Sequence, residues 1–314
     1  MTGLPVLPRI LTTRNSRYLP DCRAVVMAVA ASVAMGSAHA ALDATVQIVD
    51  GASLALGLYD EITQHVDAAM ASWGRYLVGN AHIDVEVQVT DSVLAAAASS
   101  RASSYVGQSG GIYVYEAGMA VKVNQGIDVN GTTPDVEILF NPGYLRNELW
   151  FDPDPYLRQA LVPMDKTDAM SIFIHEIGHA LGFNGWGGHV DGSLPANYAS
   201  TWDIQTRFDG SELFFTGANA RSIYGGDVPV TIGNNYHIGN PMGSGSDLLD
   251  DVMNGVSFAR GARYDISPLD LAIAKDLGLQ VQAVPEPDTL WLMLAGMLAI
   301  WGAAPVRRQL TLAA

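Results

Sequence analysis

The chain of 314 residues contains one cysteine, Cys22. An intramolecular disulfide and a metal site built from several cysteines are therefore excluded. Basic residues are also scarce, with 17 Lys and Arg against 32 Asp and Glu. A chain this acidic is a poor partner for nucleic acid or for an anionic lipid surface. No internal repeat is present. The glycines at 182, 185, 187 and 188 are not followed by Lys-Ser/Thr, so they form no phosphate loop. No Ser/His/Asp arrangement can be argued from spacing.

Long uncharged apolar segments stand at the two ends. Residues 1–40 have the parts of a secretory signal. Arg9, Arg14, Arg17 and Arg23 supply the charge, Ala24 to Met35 is apolar, and Ala38-His39-Ala40 is a cleavage site. Cys22 leaves with that leader. Near the other end, Thr289 to Val306 carries no charge and is followed by Arg307 and Arg308. At about 1.5 Å per residue this is a short membrane-spanning helix with a positive cytoplasmic stop. Val284-Pro285-Glu286-Pro287 stands before it. The order Pro-Glu-Pro, apolar helix, Arg-Arg resembles the PEP-CTERM sorting signal of Gram-negative bacteria. That resemblance implies an exosortase-type sorting enzyme as partner, transient anchoring in the inner membrane, and delivery to the cell surface or extracellular matrix. Removing residues 1–40 and 284–314 takes away six of the 17 basic and three of the 32 acidic residues, leaving a net charge of −18.

The central feature is His175-Glu176-Ile177-Gly178-His179, set within an apolar run from Met170 to Phe183. Such a run predicts a buried helix. Thr167 and Asp168 suit its start and Gly182 its end. Positions i and i+4 share a helix face, so His175 and His179 can hold one metal ion, with Glu176 beside them as general base. Two histidines and a glutamate buried without purpose would be costly. Zinc is the expected ion, and peptide-bond hydrolysis the expected chemistry.

Several elements are expected around this helix. Leu54, Leu58, Ile62, Val66, Ala69, Trp73 and Leu77 predict an amphipathic helix over about 53–77. Only a few residues then separate Ala41 from it. Ile83 to Thr90 alternates strictly and predicts a strand. Residues 95–104 are small and polar, a short helix or loop. Ile112 to Tyr115, Met119 to Val123 and Val136 to Phe140 predict strands, the last ended by Asn141-Pro142-Gly143. Asp128 to Pro134 is a turn-rich loop, and a long loop with Pro153, Pro155 and Pro163 leads to the metal helix. Helix, strands and metal helix follow the order of a zincin N-terminal lobe. The sheet edge in such folds pairs with an extended peptide, and Val136 to Phe140 is the expected edge strand. His65 and His82 read as structural or exposed. Calcium is a further candidate at Asp247, Asp250 and Asp251 or at Asp128-Val129-Asn130-Gly131, although neither set has the spacing of a calcium loop.

A catalytic zinc needs a third protein ligand. His179-Ala180-Leu181-Gly182 resembles the metzincin motif, in which a His follows that Gly after three residues. That place is Gly185 here, which cannot ligate. His189 and His237 remain. His237 is followed by Asp251-Val252-Met253-Asn254 and then by a helical stretch from Pro268 to Gly278. This order resembles the leishmanolysin-like metzincins over roughly 167–183 and 234–279. The resemblance implies His237 as third ligand, with His189 the alternative, and Met253 as a turn residue beneath the metal. Met242 is a rival for that turn. It also implies an α+β, two-lobed zincin fold. The N-terminal lobe, 41–183, carries a mixed sheet and the metal helix. The irregular C-terminal lobe, 184–283, holds an insertion over 184–236. Tyr236 and Tyr264 are candidates for stabilising an oxyanion.

The expected function is thus an exported zinc endopeptidase acting on peptide or protein substrates. The rival is a non-catalytic surface or matrix protein that keeps the fold with a structural metal. A gluzincin-like arrangement would need a downstream carboxylate ligand. Glu212 is the one Glu between the metal helix and the C-terminal tail.

Overall fold

The computed structural model describes residues 42–282. The segments expected to be a leader, with Cys22, and a sorting tail lie outside the described residues.

The chain opens with β1 (Leu42–Val49), α1 (Tyr59–Gly74) and β2 (Ala81–Val89). β1 and β2 pair in parallel, which requires the crossover that α1 provides. Ile83, Val85 and Val87 point inward from β2, while the residues between them face outward. That alternation is the period-2 signature of a half-buried strand. α1 buries Ile62, Val66, Ala69 and Trp73 against the core. The helix expected over 53–77 is shorter than its apolar pattern. Asp50 accepts the backbone N–H of Leu54 and Ala55, which holds residues before α1 in turns. The segment before α1 is a full strand, where only a short lead-in was expected.

Next come β3 (Ala96–Ser100), β4 (Ser103–Ser109), β5 (Ile112–Ala117), α2 (Gly118–Gln125) and β6 (Val136–Phe140). The main sheet has the order β1-β2-β6-β3. β6 is parallel to β2, and β3 is antiparallel to β6. Val136–Phe140 is therefore an interior strand. The two edges are β1 and β3, the latter in a segment expected to be helix or loop. Its Ala and Ser residues have little strand propensity, so pairing with β6 decides their conformation. Met119–Val123 is helical where a strand was expected. Met119, Ala120 and Val123 are buried there, and Gly126 ends the helix in a left-handed conformation. Tertiary burial here overrides the strand preference of valine.

The remaining elements are α3 (Pro142–Asn147), β7 (Leu149–Trp150), β8 (Thr167–Asp168), α4 (Ala169–Leu181), β9 (Tyr198–Ser200), β10 (Thr206–Phe208), β11 (Leu213–Phe215), α5 (Ala218–Tyr224), β12 (Val228–Pro229) and α6 (Pro268–Asp276). β10, β11 and β12 form a small antiparallel sheet, and β9 joins the β4–β5 hairpin in parallel with β5. Ser267 and Asp270 form a capping box at the start of α6, after which Pro268 occupies the first turn. The architecture is mixed α+β. α4 lies beneath the sheet: Phe173 packs on Phe140 of β6, and the indole N–H of Trp73 in α1 donates to the Ile174 carbonyl at 2.9 Å.

Candidate metal centre

All thirteen residues of α4 are buried. The Asp168 carboxylate caps its N-terminus, accepting the Ser171 N–H at 3.1 Å, and Arg158 pairs with that carboxylate at 2.8 Å. Gly182 lies just past the end, at a φ of 126° that favours glycine, and the Phe183 N–H returns to the Gly178 carbonyl. A cap at each end fixes the rotation of the helix. His175 and His179 consequently face one side, one turn apart.

His237 is delivered from a distant segment. Its neighbour Ile238 bridges to Val230 on one side and to Asn254 on the other. Gly255 leaves room for it, because a Cβ there would stand 2.6 Å from the His237 Cβ. The three Nε2 atoms of His175, His179 and His237 lie 3.0 to 3.1 Å from one another. Among the described residues these histidines are the group of three such side chains able to hold a metal ion. The metal is not identified by this cluster alone.

Hydrogen bonding sets the chemistry of these nitrogens. His175 Nδ1 is 2.6 Å from the Val252 carbonyl, and His179 Nδ1 is 2.6 Å from the Phe183 carbonyl. A carbonyl can only accept, so each Nδ1 carries the proton and each Nε2 keeps a lone pair. Burial pushes the His175 pKa down to about 3, helped by His179, and that of His179 down to about 4. Burial also lowers His237 well below the usual histidine value, with His179 and His175 adding to the effect. The imidazoles are thus neutral at neutral pH, as metal binding requires. Lone pairs converging at this distance repel one another, and a cation between them relieves that repulsion.

Glu176 is buried and makes no hydrogen bond among the described residues. Its Oε2 has no partner at all. Burial raises its carboxyl pKa to about 8. A cation at the histidines would favour the charged form and draw that value down. The carboxyl lines a cavity of about 390 Å³ together with His175, His237, Tyr144, Asn254 and Phe258. Tyr144 was not foreseen as a site residue. Its hydroxyl has no hydrogen-bond partner among the described residues, and its pKa is pushed well up, first by burial and then by the Glu176 charge. The signal was present in Asn141-Pro142. The Asn141 side chain caps α3, accepting the N–H of Gly143 and Tyr144, with Pro142 in the first turn.

Met253 is fully buried, and its sulfur presses on α4 between the two helix histidines. A Cβ at Gly178 would stand 2.6 Å from that sulfur and 3.3 Å from the Trp73 ring. Gly178→Ala gains helix propensity of about 1 kcal/mol but overpacks this contact at about 1–3 kcal/mol. The expected net result is a lower urea midpoint for the variant. An unchanged or raised midpoint would show that the Met253 contact yields freely. Met242, by contrast, is 82% exposed.

The other candidates lie elsewhere. His189 is exposed. Its Nδ1 accepts the Asn235 N–H at 3.3 Å, and its ring packs edge-on against Tyr236. The place of a compact third ligand, Gly185, is taken by a buried carboxylate: a Cβ there would lie 2.2 Å from Asp203 Oδ1. That carboxylate accepts the N–H of Trp186, Gly187 and Ser200. The Tyr236 hydroxyl donates to the Gly187 carbonyl, and the Tyr264 hydroxyl accepts the Ala259 N–H. Neither tyrosine lines the cavity beside Glu176. His65 is buried between the Glu61 carbonyl and the Asp152 N–H, while His82 is a surface residue bonded to Asp43. Glu212 sits in the turn held by Asp209, away from the histidines' group.

Neither set of calcium candidates forms a converging group among the described residues. Asp128 closes its own turn and is paired with Lys122. Asp251 binds the Met253 N–H and the Ser267 hydroxyl, and Asp247 accepts from the Tyr224 hydroxyl. Compared with protein-family models, with curated proteins and with solved structures, the chain matches none of them.

Proposed function

We propose that the chain is a zinc-dependent endopeptidase of the leishmanolysin-like, two-lobed zincin type. The observation that carries this is the convergence of three neutral imidazole Nε2 atoms beside an unpartnered, buried Glu176. Zinc fits the donor set. At Zn–N distances of about 2.0–2.1 Å, a tetrahedral site separates its nitrogens by about 3.3 Å. The three nitrogens here are 3.0 to 3.1 Å apart. Three histidines, with no fourth donor grouped with them among the described residues, leave one position open, the pattern of a catalytic rather than a structural zinc. The order of metal helix, third histidine, buried Met253 and C-terminal helix supports the same reading.

A zinc ion held there supplies a Lewis acid that acidifies water and polarises a peptide carbonyl. Glu176 accepts a proton from the attacking water and returns it to the leaving amine. The Tyr144 hydroxyl, free of other partners, donates to the carbonyl oxygen as negative charge develops on it. β3, at one edge of the sheet, offers outer backbone groups to an extended substrate, with the Ala98 carbonyl reached at 3.5 Å by the Asn184 side chain. Ala96 of β3 lines the same cavity as Glu176, which brings such a substrate across the site.

The test is proteolysis of an unstructured protein by the purified full chain. Cleavage is expected with one equivalent of zinc, is abolished by a chelator and returns on adding zinc. Tyr144→Phe is expected to keep zinc and to lower kcat by about 10²-fold, the effect of losing one oxyanion donor. Cleavage that survives metal removal contradicts the reading, and a full-rate Tyr144→Phe removes Tyr144 from the mechanism.

A further inference from the structure

A second cavity, of about 300 Å³, lies on the other side of His179. Ser99 and Ser100 of β3 line it, as Ala96 lines the cavity beside Glu176. A peptide paired with β3 therefore runs from one cavity into the other. Apart from His179, the walls of the second cavity are Tyr115, Trp186, Asn184, hydroxyl residues and small residues, and no Asp, Glu, Lys or Arg lines it.

Tyr115 and Trp186 belong to a longer row of rings. Tyr198 packs on Trp186 at 5.3 Å, Trp186 on Tyr115 at 5.8 Å, Tyr115 on Tyr105 at 5.8 Å and Tyr105 on Tyr113 at 6.0 Å. Four of these rings are open to solvent: Tyr105 is 53% exposed, and Tyr113, Tyr198 and Trp186 are 37–40% exposed. The row is held on a frame. β5 pairs with both β4 and β9, and the Trp186 backbone is bound to the buried Asp203 carboxylate. β4, β5 and β9 carry one charged residue, Glu116, which is buried and bonded to Asn124. This is a charge-free aromatic strip on a strongly acidic chain, and it is continuous with the cleft.

We infer that this strip, from Trp186 to Tyr113, is the docking track for the substrate segment on the amino side of the cut. It selects uncharged polypeptide carrying aromatic side chains at several positions. This rests on the peptidase reading above. The occupant is a polypeptide because the strip continues the β3 edge, where backbone pairing delivers a chain. Antiparallel pairing, the more stable arrangement, sets the amino side of the substrate toward Ser100. The rings are tilted 55–74° to one another. They form clefts for inserted side chains, and edge-to-face contacts reward an aromatic one. Acidic segments meet the net negative charge of the chain, and basic segments find no carboxylate along the strip.

The test compares two peptide sets with the zinc-loaded full chain. They share the residues around the cut and carry either Tyr and Phe or Asp and Lys further toward the amino end. The aromatic set is expected to have a kcat/KM about 10- to 100-fold higher. Trp186→Ala and Tyr105→Ala should each reduce that ratio, whereas Trp186→Phe should keep most of it. A second arm measures peptide binding to the Glu176→Ala chain by calorimetry, where no cleavage is needed. Aromatic peptides are expected to bind it and to lose affinity with Trp186→Ala added. A ratio near one in wild type, or a preference untouched by both alanine variants, overturns the inference. Failure of wild type to cleave any peptide, with aromatic binding intact, would sink the peptidase reading and leave the strip as a binding surface.

Discussion

Glu176→Ala is expected to bind one equivalent of zinc and to cleave protein substrate about 10²–10⁴-fold more slowly than wild type. The three histidines are untouched by this change. The Nδ1 atoms of His175 and His179 contact the carbonyls of Val252 and Phe183, and His237 Nδ1 has no partner among the described residues, so none of the three depends on Glu176. Metal content should therefore hold while the proton acceptor is lost. The variant should also unfold no more easily, because Glu176 forms no hydrogen bond that its removal would break and its burial is a cost to the fold. Burial holds the Glu176 pKa above its unfolded value, at about 8. Whatever stability the protonated form contributes is present in full at acidic pH. It is lost progressively as pH rises from the unfolded value of 4.5 to about 8 in the metal-free chain. Glu176→Ala should flatten that part of the stability–pH curve. A variant that cleaves at the wild-type rate removes Glu176 as the base.

His237→Ala is expected to lose zinc and activity together, whereas His189→Ala keeps zinc near one equivalent. His237 Nε2 stands 3.1 and 3.0 Å from the other two ligand nitrogens, and its loss leaves the metal with two protein ligands. His189 is turned to Tyr236 and to the backbone of Asn235. Zinc titration of both variants separates the two. If His189→Ala is the one that strips the metal, the loop over 185–189 rearranges on binding and Asp203 must release Gly187.

The metal helix was legible because its signals are local. An apolar run, an Asp cap, a glycine stop and two histidines at i and i+4 all lie within fifteen residues, and α4 spans Ala169–Leu181 with Asp168 as cap. His237 could be pointed to only by the order of elements that follow it. Its approach to α4 depends on bridges from Ile238 to Val230 and Asn254, contacts no periodicity reveals. Asp203 filling the space at Gly185 is equally non-local, although the glycine itself showed that the compact ligand was missing.

The edge strand is hidden from the sequence for a related reason. Val136–Phe140 has the stronger strand composition and consequently takes the interior. Ala96–Ser100, with weak intrinsic preference, is strand only because β6 offers it a partner. Met119 to Val123 predicts a strand, whereas the segment folds as α2. Burial of Met119, Ala120, Val121 and Val123 decides for the helix. Tyr144 escaped notice because an Asn-Pro-Gly end to a strand hides a one-turn helix start.

The zinc K-edge X-ray absorption spectrum of the full chain at one equivalent of zinc separates a catalytic site from a structural one. Three imidazole nitrogens at about 2.0–2.1 Å with one further light-atom ligand from solvent are expected, and a chelator-reversible peptidase activity should track that species. Four protein ligands around the zinc, or a bound metal whose removal leaves activity unchanged, would contradict it.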